Sequence, residues 1–416
     1  MTPSDMLPPP PSHTAASPIG VLPHGWRQRR AGLLFQQVSE RNNDDLPVLS
    51  VSIHSGISQH ELSAEERDRK TVLIEDRSAY KRVRPGYLAY NMMRAWQGAV
   101  GVSTVDGAVS PAYVVAKPTG EIHSAYYQYL LRTPIYIGEM HRGSKGIADF
   151  RKRLYWEQFR QIVLPVPPID EQREIAAFLD RETGKIDLLI EKKEQFLRCS
   201  AARIEALVDR AISDSDVPRV RFEHVTRRIH RPATLSEHTN LVRLGLYNRG
   251  RGIFKKPATD EEGMGDSDFF FVKEDDLIIS GQFAWEGAVA LASSDEEGCV
   301  VSHRYPIYRG ENGVKSAYLT GLLRTNFGDF LLNEASRGSA GRNRPLNTGR
   351  LAKEKIPVPG MKLQEAIEQA IKLEKRMKAV TQASIALLQE HRAALVTAAV
   401  MGLTDIANTT ARKIGE

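Results

Sequence analysis

The sequence predicts an α+β fold that occurs twice: a mixed globular domain and a long helix, then a second such domain and a second long helix. Three observations carry that prediction. Leu164-Pro-Val-Pro runs straight into a heavily charged helical stretch, and Ile356-Pro-Val-Pro does the same at an offset of 356 − 164 = 192. Other blocks recur in the same order at nearly that offset. Both charged stretches place apolar residues at alternating steps of four and three, the spacing of a helical seam.

The recurring blocks come in series. VRPGYLAYNMMRAWQGAV from Val83 faces VKEDDLIISGQFAWEGAV from Val272, offset 189. VSPAY from Val109 faces VSHRY from Val301, and SAYYQYLLRT from Ser124 faces SAYLTGLLRT from Ser316, both at 192. HRGSKG faces SRGSAG, with Arg142 against Arg337, at 195. Five ordered blocks with a drift of a few residues mean tandem duplication.

Taken in order, the elements are these. Residues 1–22 form a Pro/Ser-rich tail, expected to be disordered, without the basic region and apolar core of a signal peptide. Residues 23–167 form the first domain. PVLSVSIHSG, RPGYLAYN and AYVVAKP read as strands bounded by Gly and Pro, and SAYYQYLLRT reads as helix. Residues 168–214 form the central helix. Residues 215–358 form the second domain, where NLVRLGLYNRG, DDLIISGQ and RYPIYRG are the counterpart strands. Residues 359–405 form the second helix and 406–416 a tail. The seam of the first helix runs through Ile175, Leu179, Ile186 and Leu189, and that of the second through Ile367, Ile371, Ile385 and Leu388. About 40 residues of helix make a rod of about 60 Å. An ordinary bundle helix is one reading. An antiparallel coiled coil, with the domains at its ends and an approximate two-fold between them, is the reading that two like helices favour.

Composition adds bounds. Lys plus Arg is 57 against 51 acidic residues, a net charge of +6, a mild excess that hints only weakly at nucleic acid. Cys199 and Cys299 stand a hundred residues apart, too few and too far for a disulfide framework or a zinc cluster. A reducing cytoplasm is the simplest setting. No run of 18 apolar residues is present, so no membrane-spanning helix is expected.

Two similar domains on a spacer suit a bipartite target, and duplex DNA presents the same groove about every 35 Å. The basic segments fall in the domains. The first has Trp26-Arg-Gln-Arg-Arg30, His141-Arg-Gly-Ser-Lys-Gly146 and Arg151-Lys-Arg153. The second has Arg249, Arg251, Lys255 and Lys256, then Arg337-Gly-Ser-Ala-Gly-Arg342-Asn343-Arg344. Arg and Asn can read base edges, and Gly-rich loops let backbone N–H groups approach phosphate. The plainer alternative is a solvated run or a structural turn. Trp96-Gln97 and Trp285-Glu286 follow a strand; the tryptophans suit core packing, while Gln97 or Glu286 could face a base edge.

Catalytic signatures are missing. Val109-Ser-Pro-Ala-Tyr113 lacks the second Pro of the amino-methyltransferase loop, and Val301-Ser-His-Arg-Tyr305 has neither. Asp170 with Glu191-Lys-Lys193 mimics a nuclease motif, but these residues lie about six turns apart along one helix, so they cannot converge on a metal ion. No Walker A loop and no His/Cys cluster is found.

Pro-x-Pro-Pro-Ile169-Asp-Glu-Gln-Arg-Glu-Ile175-Ala-Ala-Phe-Leu-Asp180-Arg-Glu-Thr183, followed by Lys185-Ile-Asp187 and Ile190-Glu-Lys-Lys193, resembles the central helix of type I restriction–modification specificity (S) subunits. The chain from about Gly25 to about Asp405 is similar to that family's plan. The second helix departs from it: Met361-Lys-Leu-Gln-Glu-Ala-Ile367 lacks the Glu-Gln-Arg core. The resemblance implies that each domain reads half of a split DNA site, and that the helices set the spacer and dock two modification (M) methyltransferase subunits. It implies that restriction (R) subunits join the complex and that this chain catalyses nothing and binds no cofactor. S-adenosylmethionine, ATP and Mg would then belong to the partner subunits. The DNA-contacting residues would be drawn from Gln97, Arg142, Ser144, Lys145, Arg151 and Arg153 in the first domain. In the second they would be drawn from Arg249, Lys255, Arg337, Arg342, Asn343 and Arg344. A coiled-coil scaffold that joins proteins without reading DNA is the competing reading.

Overall fold

The computed structural model describes residues 20, 22–41, 45–53, 56–58, 78–146, 152–213, 216–233, 241–258, 267–337 and 344–404. The chain divides into two units. The first comprises residues 1–190 and 386–416, the second residues 191–385. Each unit therefore contains one of the two mixed domains, part of the central helix (Ile169–Ile212) and part of the C-terminal helix (Met361–Val400).

In the first unit, strands Phe35–Val38, Tyr113–Pro118, Leu88–Asn91 and Val100–Val102 form an antiparallel sheet in that order. In the second, Thr226–Ile229, Ile307–Gly310, Leu277–Ile279 and Val289–Leu291 form the same sheet in the same order. The smaller ladders recur too. Ser50–Ser52 pairs with Gly56–Ser58 as Leu244–Leu246 pairs with Ile253–Lys255. Lys81–Val83 pairs with Gly107–Val109 as Phe269–Phe271 pairs with Val300–Ser302. The duplication read from sequence thus extends to every strand pairing described.

The inner strands are buried on both faces. Leu88 and Tyr90 point into the core shared with the helices, while Ala89 points into a second core with Val51, Val83 and Val115. Leu277 and Ile279 divide from Ile278 in the same way. This is period-two geometry with apolar residues on both sides, which is why these runs lack polar alternation. Each domain is closed by pairing its two ends: Arg27–Arg30 against Val163–Val166, and Arg219–Arg221 against Lys355–Pro357.

The tryptophan segments form one turn of 3-10 helix, Ala95–Gln97 and Ala284–Glu286. Each ends on a glycine in the left-handed region, Gly98 at φ 95° and Gly287 at φ 68°. That conformation explains why Trp-x-Gly recurs, because a side chain at the third position would be strained.

The long helices meet end to start. In the first unit Ile175, Phe178 and Leu179 share a core with Val396, Ala399, Val400 and Met401. In the second Ile367 and Ile371 share one with Ile204, Val208 and Ala211. The beginning of either helix thus packs beside the end of the other, the antiparallel sense. The seam departs from expectation at Leu189, which is 49% exposed. Ile186 is buried, while Ile385 and Leu388 are half-buried. The reason is cover: near a domain a helix is packed from several sides, whereas farther along one partner helix shields only one flank.

A buried glutamine ties each domain to its helix. Gln172 Oε1 accepts from the His123 N–H at 2.9 Å, and its Nε2 donates to the Pro167 carbonyl at 2.8 Å. Gln364 accepts from the Lys315 N–H at 2.9 Å and donates to the Pro359 carbonyl at 2.9 Å. All three residues are shifted by 192. Of the Glu-Gln-Arg core, the second helix keeps the glutamine that bonds to the domain's backbone.

Candidate nucleic-acid interface

In the first unit, Thr133 caps a helix that begins at Pro134 and runs to Gly143. Arg142 and Gly143 are therefore its last turn, not a loop that could cradle phosphate, which corrects the reading of Arg-Gly-Ser as a Gly-rich turn. The cap residue and proline at the first turn start the helix, and the run carries through the glycine. Arg142 is highly exposed and pairs with Glu139 at 2.8 Å. Ser144 ends the helix by donating to the Met140 carbonyl at 2.7 Å. Lys145 and Arg153 exchange backbone hydrogen bonds, each 2.9 Å, with both side chains exposed. Arg151 lies outside the described residues. Gln97 is exposed. Its neighbour Trp96 donates from Nε1 to the Met93 carbonyl at 2.8 Å, and His141 meets the indole edge-on at 5.6 Å. Lys152 Nζ lies 5.9 Å from the indole centre and 2.7 Å from His141 Nε2. The structure thus sets His141 and Lys152 against a half-buried tryptophan, with exposed Gln97 next to it in the chain.

In the second unit, Arg344 lies over Trp285, 5.4 Å from the ring centre. Arg337 is exposed and pairs with Glu334. Arg342 and Asn343 lie outside the described residues. Arg249 adopts φ 57°, a left-handed conformation rare for a side-chain-bearing residue. It is held there because its N–H donates to the Glu286 carbonyl at 2.8 Å and the Gly250 N–H donates to the Gly287 carbonyl at 2.7 Å. The Tyr247–Gly252 segment is thereby fastened to the Trp285 turn, with the Arg249 side chain exposed. Burial pushes the nearby Asp329 carboxyl up, and the positive charge of Arg249 opposes that rise. Lys255 donates to the Asp295 carbonyl at 2.5 Å.

A cleft of about 460 Å³ opens beside that segment, lined by Tyr247, Arg251, Arg324, Glu374, Lys378 and Gln382 among others. Burial lowers the Lys378 amine; Glu374 opposes this, and Arg324 and Arg251 add to it. Among the described residues no group of His, Cys, Asp or Glu could hold a metal ion. None of the helices described is long and apolar enough to cross a membrane.

Two features escaped the sequence reading. Lys152 was passed over within a basic run, although 152 + 192 = 344 marks it as the repeat partner of Arg344. Gln172 and Gln364 were legible at the same offset.

Residues 30–197 match the type I restriction modification DNA specificity domain. No curated protein matches the chain. A chain from a solved structure described as the basis of complex assembly and conformational transition of the type I R-M system is similar at TM-score 0.57 and 16% identity, covering 92% of this chain and 99% of that one. The type I restriction–modification S subunit from M. genitalium is similar at TM-score 0.51 and 13% identity, with coverage of 92% and 99%. At these identities the two structures speak for the fold, and the family match speaks for the specificity domain. Residues 30–197 thus carry the likeness to the type I restriction modification DNA specificity domain, and a domain with the same strand pairings recurs in the second unit.

Proposed function

We propose that each recognition domain reads one half of a bipartite site in duplex DNA, and that the two long helices set the spacer between the halves. The chain is a DNA-recognition subunit and, as in its family, it is not the catalyst. Two M subunits dock on the charged outer faces of the helices, and R subunits join them. S-adenosylmethionine, ATP and Mg are held by those partners. The complex works in the cytoplasm, where the DNA is. Within the recognition surfaces, exposed cations such as Arg142, Lys145, Arg153, Arg249 and Arg344 divide between phosphate positioning and base readout.

One observation carries the reading: the domain that matches the specificity family occurs twice, strand pairing for strand pairing, with different side chains on the same scaffold. One scaffold with two chemistries is what an asymmetric split site requires. Base-resolution mapping of N6-methyladenine tests it, comparing cells that express this chain with its cognate methyltransferase and cells that lack the chain. A split motif methylated only in the presence of the chain is the expected result. No new motif, with both proteins folded and co-purifying, would put the protein-joining scaffold in its place.

A further inference from the structure

The two recognition domains differ in most of their exposed side chains, so a contact kept by both identifies a shared task. One such contact is a cation above a tryptophan. Trp96 and Trp285 occupy equivalent 3-10 turns at an offset of 189. Lys152 and Arg344 occupy equivalent positions at an offset of 192. The Lys152 amine lies 5.9 Å from one indole centre and the Arg344 guanidinium carbon 5.4 Å from the other, both within the range of cation–π attraction.

The backbone holds both cations in the same register. Two residues after Lys152, the Leu154 N–H donates to the Met92 carbonyl at 2.8 Å; two residues after Arg344, the Leu346 N–H donates to the Gly281 carbonyl at 2.8 Å. These tethers anchor the strand exit to the segment leading into each tryptophan turn. The remaining surroundings are not shared. His141 Nε2 accepts from the Lys152 ammonium in the first unit, and Ser336 stands at its aligned position in the second with a buried hydroxyl that has no hydrogen-bond partner among the described residues.

We infer that Lys152 and Arg344 are equivalent phosphate anchors, one per half-site, each held over an indole so that its charge faces the DNA backbone at a fixed place in the domain. This rests on the DNA-reading function proposed above. The identity of the residues separates phosphate from base. Lys and Arg present different donor patterns and do not substitute for each other at a base edge or a bidentate site. What both domains keep is a positive charge at one position, which serves a phosphate in any sequence. Base readers are expected to diverge between domains that read different halves.

The test uses the complete complex of this chain with its methyltransferase, on duplex carrying the mapped motif and on duplex with either half-site scrambled. Binding is measured across a salt series for wild type, Lys152→Gln, Arg344→Gln, the double variant, and the charge-keeping Lys152→Arg and Arg344→Lys. Each Gln variant is expected to weaken binding on all three duplexes and to reduce the log–log salt slope by about 1, the double variant by about 2, with the charge-keeping variants close to wild type. An unchanged slope would overturn the inference. So would relaxation at a single base pair, which would make the residue a base reader. Loss of thermal stability in the Gln variants alone, with an unchanged salt slope, would also overturn it, by making the cation a strut for the tryptophan turn. If the wild-type complex binds none of the duplexes, the DNA-reading function itself fails, and that result is distinct from a wild type that binds beside variants that match it.

Discussion

The two recognition domains have the same sheet and the same buried glutamine, yet they grip their helices with different chemistry. In the first unit the polar ties are hydrogen bonds from uncharged donors. Trp26 Nε1 donates to Glu171 at 3.0 Å, Tyr129 donates to Asp180 at 2.6 Å, and Tyr126 donates to the Val400 carbonyl at 2.9 Å. In the second unit they are ionic. Arg324 binds Glu374 through both nitrogens at 2.7 and 2.8 Å, Lys315 binds Glu368 at 2.7 Å, and Lys375 binds Glu296 at 2.5 Å. The apolar contacts match across the units: Ile175 and Leu179 in one, Ile367 and Ile371 in the other. After duplication, the apolar seat and the backbone-directed glutamine were retained, while the charged periphery was free to change. Apolar cover and backbone bonds define where the domain sits; the ion pairs adjust how firmly.

The comparison can be broken most forcefully at Arg324. Its side chain and that of Glu374 are only 11% and 15% exposed, and removing one partner leaves the other charge buried. Arg324→Ala should cost about 3–5 kcal/mol, read from the denaturant midpoint of the second unit, because breaking a buried pair forfeits more than the pair contributes. If instead the cost is near that of a surface pair, the ionic grip is ornamental. Leu179→Ala and Ile371→Ala should each cost about 2–5 kcal/mol in their own units, and by similar amounts, since this layer is shared.

Gln172→Leu and Gln364→Leu should cost about 1–3 kcal/mol each, by stranding a buried N–H and carbonyl. Equal losses would sharpen the claim that this clamp is common to both domains; a loss in one alone would break it. The ionic grip also carries an acid signature. Burial pushes the Glu296 carboxyl up, but hydrogen bonds from Lys375 and Ser293, with the Lys375 charge, overcome that and hold it below the usual carboxylate value. A depressed folded pKa contributes stability that is complete above the unfolded value of about 4.3 and is lost as pH falls through the folded one. Glu296→Gln should therefore flatten the acid limb of the second unit's stability profile below about pH 4.3 and leave the first unit's limb unchanged. The smallest effect belongs to Arg392 and Asp187, paired at 2.8 Å with Asp187 exposed and Arg392 half-buried. Arg392→Ala should shift stability by only about 0.2–1 kcal/mol, and less at high salt.

Much of this architecture is written in the sequence because duplication prints each element twice. RPGYLAYN and DDLIISGQ became the inner strands, and the aligned SAY segments became helices, since burial on both faces and Gly/Pro boundaries leave few alternatives. The seam was legible only in part. A four-three pattern locates a helical face, but it does not say where the neighbouring domain stops covering it, and Leu189 lies where that cover is partial. Arg142 was misread because Gly143 looks like a turn. Thr133 and Pro134, which commit the segment to helix, lie ten residues earlier. The cation–tryptophan contact was hidden because its cation is Lys in one copy and Arg in the other, and only the offset connects them. Arg151, Arg342 and Asn343 fall outside the described residues, so their place in the interface rests on sequence.

The central claim is that each recognition domain reads its own half of the site. Because each domain is closed by a ladder between its two ends, Arg27–Arg30 with Val163–Val166 and Arg219–Arg221 with Lys355–Pro357, one can be exchanged for the other as a closed module. The most direct measurement is N6-methyladenine mapping in cells whose chain carries residues 23–167 in place of residues 215–358, beside cells with the natural chain. The account predicts that the first half-site appears on both sides of the spacer and that the second disappears. A motif that still contains the second half-site would contradict it.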